Sequence, residues 1–137
     1  MATHVREGLA RLDEYADTGK LASLCRRHGI ELMVVFGSAA RDEPHPADLD
    51  LAVRFSRDAK RDILQLLDDV YELTGVEAVD LMVFNDAGPV AREHATVEGR
   101  PLYQARSGAF ATEQISAIME RMDTDHLRRL DLELLAQ

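Results

Sequence analysis

Residues 35–53 read VFGSAARDEPHPADLDLAV, two apolar runs separated by a Gly-Ser and a proline-bracketed loop, with two aspartates opening the second run. This stretch constrains the fold more than any other, because it specifies two neighbouring strands and aims charged side chains from the end of one of them. Residues 32–36 have the β-branched and aromatic content of a buried strand, and Gly37-Ser38 breaks that run where the backbone must turn. In the second run Leu49, Leu51 and Val53 share one face while Asp48 and Asp50 share the other, since side chains alternate along a strand. The two carboxylates therefore point the same way, on the order of 7 Å apart at their Cα atoms. Mg²⁺ takes hard oxygen ligands and is usually held by one or two carboxylates plus substrate phosphates, so the pair suits a nucleotide-metal site.

The surrounding chain supplies elements to support those strands. Val5, Leu9, Leu12 and Ala16 recur at helical spacing, Asp17-Thr18-Gly19 interrupts them, and Leu21, Leu24 and Cys25 resume, which predicts two helices or one broken helix ending at Gly29. Residues 57–74 place Ile63, Leu66, Leu67, Val70 and Leu73 on one helical face, with Gly75 at the C-terminal cap. That helix lies between the Asp-x-Asp strand and a further apolar run, VEAVDLMVF, so it can serve as a crossover in a mixed or partly parallel sheet. Pro89–Glu98 reads as a short helix followed by Gly99, and residues 101–103 as a short edge strand. Residues 112–137 carry Ile115, Ile118, Met119, Met122, Leu127, Leu130 and Leu134 among many charges, an amphipathic helix with a possible break at Asp123-Thr124-Asp125. Its apolar face either packs back on its own domain or docks on a second copy or another protein.

The whole chain sets further bounds. Its 137 residues fit one core, and a formal charge of −9 argues against a protein that grips nucleic acid by its phosphates. Cys25 stands alone and cannot form an intrachain disulfide. Neither a secretory leader nor a membrane-crossing apolar run is evident, so the expected location is cytoplasmic.

The order Gly37, Ser38, Asp48 and Asp50, with Asp80 in the later apolar run, resembles the minimal nucleotidyltransferase domains of the DNA polymerase β superfamily. The resemblance covers roughly residues 20–105. It implies an α/β fold with a mixed sheet flanked by helices, a nucleotidyltransferase domain over residues 1–106 that includes the N-terminal helices, and a C-terminal helical extension over 107–137. It also implies two Mg²⁺ ions with ATP as substrate. Asp48 and Asp50 would bind both ions, and Asp80 would bind the one at the acceptor side and help remove the acceptor's proton. Ser38 and the backbone around Gly37 would hold the β- and γ-phosphates. Arg41 either neutralises phosphate charge or is a solvated loop arginine.

Asp80 is flanked by Val79 and Leu81, and burying it there would be costly without a cation, which a metal or a paired arginine or lysine could supply. His45, between two prolines, could stack on a base but suits a solvent-facing loop, and His94 suits packing on its helix. The chain has no large helical domain to present an acceptor, so the acceptor must come from elsewhere. Small domains of this kind resemble the antitoxin half of HEPN/MNT toxin-antitoxin pairs, which implies transfer of AMP from ATP to a hydroxyl of an all-helical ribonuclease toxin, without direct binding of nucleic acid. Two alternatives remain open: a non-catalytic antitoxin acting by occlusion, and a small-molecule nucleotidyltransferase acting as a homodimer through the C-terminal helix.

Overall fold

A computed structural model describes residues 4–136. The chain begins with helices α1 (Val5–Thr18) and α2 (Lys20–His28), then strand β1 (Ile30–Phe36), a single turn of helix α3 (Gly37–Ala40) and strand β2 (Leu49–Phe55). Helix α4 (Ile63–Thr74), strand β3 (Val79–Val83) and a 3₁₀ turn (Phe84–Asp86) follow. Helix α5 (Pro89–Glu98), strand β4 (Arg100–Gln104) and the long helix α6 (Ala109–Leu135) complete it.

The interruption expected at residues 17–19 separates α1 from α2: Gly19 sits at φ +85°, a conformation that ends one helix and lets the next begin at once. Helix α4 starts later than the periodicity predicts. The Asp62 side chain accepts the backbone N–H of Gln65 at 3.1 Å, and Arg61 before it lies at φ +53°, so residues 57–62 form a turn and cap rather than a first helical turn. At the other end Gly75 takes the left-handed cap. Helix α6 corrects two expectations: it begins at Ala109, and it runs unbroken through Asp123-Thr124-Asp125. Two of the three polar residues there find partners within the helix. Asp125 accepts from Arg121 at 3.1 Å, and the Thr124 hydroxyl donates to the Glu120 carbonyl at 3.0 Å, so neither is free to cap a new end.

The sheet order is β3-β2-β1-β4, with β1 antiparallel to β2 and β4 and with β2 parallel to β3. Helix α4 makes the crossover between the parallel pair. One sheet face, bearing Met33, Val35, Leu49, Leu51 and Val53, packs on α1, α2 and α4 in the larger core. The other, bearing Leu32, Val34 and Ala52, packs on Phe84, Ala95 of α5 and Ala109 of α6. Alternation puts Asp50 on this second face together with Ala52 and Arg54. A buried ionic clamp holds α6 there: Arg54 donates two hydrogen bonds to Glu113 at 2.7 and 2.8 Å, and Arg92 of α5 donates to the same carboxylate at 3.3 Å. No helix among the described residues is long and apolar enough to cross a membrane.

Candidate active site

Strand pairing assembles the site from three segments. Phe36, the last residue of β1, is the register partner of Asp50, and Asp50 is in turn the partner of Asp80 across the parallel β2–β3 pair. Asp48 precedes β2 by one residue and reaches the same place. The three carboxylates offer oxygens that all lie within 4.8 Å of one another. None of the three forms an ion pair with a cation among the described residues.

Gly37 explains why the turn after β1 is written as it is. Its φ is +71°, and a Cβ built on it would lie 2.1 Å from Oδ2 of Asp50. Any larger residue would be strained and would displace that carboxylate. The close approach that a glycine allows here is thus to Asp50 itself, which packs directly against the turn. Ser38 follows in α3, half-buried, and among the described residues its hydroxyl has no hydrogen-bond partner.

Electrostatically, Asp50 is the strained member of the cluster. Its pKa is raised above the ordinary carboxylate value, first by burial and then by the charges of Asp80 and Asp48, with Arg41 opposing more weakly. Asp80 departs from expectation because it is exposed. It lies on β3, the edge strand of the sheet, so the cost of burial argued from its apolar neighbours falls on Asp50 instead. Three close acidic groups without a counter-cation fit a divalent ion, whose charge would relieve both the desolvation of Asp50 and the mutual repulsion.

Arg41 caps the C-terminal end of α3 and is exposed. It pairs with Glu98 at 3.0 Å and Glu43 at 3.1 Å, and the Glu43 hydrogen bond is the first cause of its raised pKa. Its charge still reaches Asp50. His45 is exposed in its loop, away from any described partner. His94 stands on α5 with its ring edge-on to Phe36 at 6.5 Å and Nε2 3.4 Å from Glu98.

Sequence reasoning missed the surface beside the carboxylates. A groove of about 660 Å³, lined mainly by Met82, Pro89, Val90, His94, Thr124 and Arg128, opens two residues along β3 from Asp80. It joins three distant segments, and only the docking of α6 on α5 brings them together. The one signal in the sequence was Met82, which follows Asp80 at the interval that shares a strand face.

The model of the polymerase beta nucleotidyltransferase family matches residues 19–107, which spans the turn, all three aspartates and β4. The chain belongs to that family. Among solved structures, this nucleotidyltransferase is similar to a toxin-antitoxin crystallised with AMP-PNP, at 19% identity over 87% of this chain and 98% of that one, with a TM-score of 0.65. It is similar also to a tri-AMPylated Shewanella oneidensis HEPN toxin in complex with MNT antitoxin, at 18% identity over 91% and 99% of the two chains and a TM-score of 0.62. These two likenesses establish the fold. A structure described as that of a minimal nucleotidyltransferase is 36% identical over 63% of this chain and 89% of its own, with a TM-score of 0.52. No curated protein matches the sequence significantly.

Proposed function

We propose that this nucleotidyltransferase moves AMP from ATP to a hydroxyl of a partner protein, and that it is the antitoxin of a toxin-antitoxin pair whose helical ribonuclease toxin is the acceptor. The observation that carries the chemistry is the convergence of Asp48, Asp50 and Asp80 within 4.8 Å beside a glycine against which Asp50 packs too closely for any side chain. A sterically acting binder has no use for a desolvated carboxylate packed on a strained turn. The assignment of partner is supported by the structural neighbours, one a toxin-antitoxin with AMP-PNP and one holding a tri-AMPylated toxin.

In this reading Asp48 and Asp50 hold two Mg²⁺ ions, Asp80 holds the one on the acceptor side, and the Gly37-Ser38 turn receives the β- and γ-phosphates. Bound Mg²⁺ would neutralise the charge that builds on the phosphoryl group in transfer and on the departing pyrophosphate. Asp80, at the open edge of the sheet, is placed to take the acceptor hydroxyl's proton on its carboxylate. The Ser38 hydroxyl, without a hydrogen-bond partner among the described residues, can donate to a phosphate oxygen. Arg41 adds positive charge near the phosphates once it loosens from Glu43 and Glu98. Residues 1–106 carry this chemistry, and residues 107–137 form an extension that lines one side of the groove next to Asp80.

The test is intact-mass spectrometry of the protein that co-purifies with this chain from its host, before and after MgATP, with Asp50→Asn as control. A gain of whole AMP units on that protein, absent in the control, is expected. A stable complex with no gain in either case would move the function to occlusion.

A further inference from the structure

Arg41 follows the Gly37-Ser38 turn by one helical turn. Its backbone N–H donates to the Gly37 carbonyl at 3.2 Å, and its charge reaches Asp50. Yet every nitrogen of its guanidinium already donates to a carboxylate. Nε and Nη2 donate to Oε1 of Glu43 at 3.3 and 3.1 Å, and Nη1 donates to Oε2 of Glu98 at 3.0 Å. A guanidinium fork binds carboxylate and phosphate by the same planar donors, so two glutamates occupy the place that phosphate oxygens would take.

The fold brings both acids there from separate segments. Asp42, at φ +57°, folds the chain back behind α3, and the Glu43 N–H donates to the Ser38 carbonyl at 3.2 Å, so Glu43 belongs to the same turn as Ser38. Glu98 is the last residue of α5. His94, one turn back along that helix, has Nε2 3.4 Å from the same Oε2 of Glu98. With a proton on Nε2, His94 can keep the Glu98 carboxylate when Arg41 leaves. Exposure sets the strength of the hold. The side chains of Arg41, Glu43 and Glu98 are 46%, 47% and 39% exposed, so both pairs are weak and open to exchange, unlike the buried clamp at Glu113. A triphosphate at the turn can be met by Arg41 only after the glutamates release it, and the cost of that release is subtracted from the affinity for the nucleotide.

We infer that Glu43 and Glu98 set the nucleotide affinity of this site: they compete with the β- and γ-phosphates of ATP for Arg41, and ATP binds by drawing the guanidinium away from them. The inference rests on the reading of the Gly37-Ser38 turn as the seat of those phosphates. The test is isothermal titration of MgATP into the full chain at 0.15 M salt, where exposed charges more than about 8 Å apart are largely screened. Glu43→Gln and Glu98→Gln should each tighten binding about threefold, and together about tenfold, as suits exposed pairs. Arg41→Gln should weaken it about tenfold. In the Arg41→Gln background the two glutamine changes together should tighten binding by less than about twofold, because the competition has been removed. Unchanged or weaker binding by the Glu43→Gln, Glu98→Gln protein would make the two pairs structural ties and overturn the inference. An equal gain with and without Arg41 would overturn it too, as the mark of simple charge repulsion. A chain that binds no MgATP with or without the glutamates would instead remove the phosphate seat itself, and the inference with it.

Discussion

Replacing Asp50 by asparagine should make the metal-free protein more stable, the reverse of the usual effect of a substitution in a half-buried site. Two unit charges at 4.8 Å repel by about 0.9 kcal/mol in water and by about 3.5 kcal/mol at an effective dielectric of 20. The cluster is open on the Asp80 side, so the lower end applies, at about 1 kcal/mol per pair. Asp50 takes part in two of the three pairs, which gives a gain of about 2 kcal/mol and, for a domain of this size, a Tm higher by about 6 °C. Asparagine is the same size and keeps its place against Gly37. The sign with pH follows from the raised pKa of Asp50. Protonation is favoured in the folded state, so the penalty is absent below the unfolded carboxylate's pKa and appears as pH rises through the folded one. Differential scanning calorimetry in EDTA should therefore show no gap between the two proteins near pH 3 and the full gap at neutral pH. Adding Mg²⁺ at about ten times its Kd should restore about 1.4 kcal/mol to the parent and little to the variant. A variant that melts below the parent in EDTA at neutral pH would refute the reasoning, as would equal stabilisation of both by Mg²⁺.

Other sites give sharper single outcomes. Asp80→Ala should lower turnover by about 100-fold or more while leaving ATP binding within a few-fold, if the role proposed for it on the acceptor side holds; equal loss in a titration and a rate assay would point to a shared structural role. Gly37→Ala should destabilise by about 1–2 kcal/mol, from its positive φ alone, and abolish transfer, because the methyl group occupies the space of the Asp50 carboxylate; normal turnover would disprove that close approach. Glu113→Ala should cost about 3 kcal/mol in urea unfolding, the low end for a broken buried pair, since it strands Arg54 while Arg92 keeps Glu120, and a loss below about 1 kcal/mol would mean that the clamp contributes little. Cys25, whose thiol burial pushes up to about 12, should resist thiol reagents at pH 8 until the protein unfolds; prompt labelling of the native chain would contradict its place in the core.

Much of the site was readable because strand alternation is a strict rule. Once residues 49–53 were read as a strand, Asp48 and Asp50 had to share a face. Asp80 could be placed on the neighbouring strand because the intervening helix is long enough to cross over. What could not be read was the order of strands across the sheet. A nine-residue apolar run looks the same at a centre as at an edge, and β3 lies at the edge, which left Asp80 exposed and moved the burden of desolvation to Asp50. The start of α4 was misplaced for a local reason, since the Asp62 cap competes with a helical pattern that extends upstream. The expected break in α6 failed because Asp125 and Thr124 find partners one turn back along the helix, and such pairing is invisible when the residues are judged by type.

Gly37 carries the most general lesson about this site. Read as sequence, a glycine after a strand suggests room for an incoming phosphate; in the fold, the space it leaves already holds an oxygen of Asp50. The two roles are compatible only if the carboxylate and the phosphate approach the same turn from different sides, with a cation between them. The Gly-Ser and the Asp-x-Asp are therefore one structural unit. Their spacing in the chain is the length of α3 plus the loop needed to return β2 antiparallel to β1 with Asp50 opposite Phe36. Residues 44–47 can vary in composition without consequence for the chemistry, whereas lengthening or shortening β2 by one residue before Asp50 would turn its carboxylate to the opposite face of the sheet and empty the site.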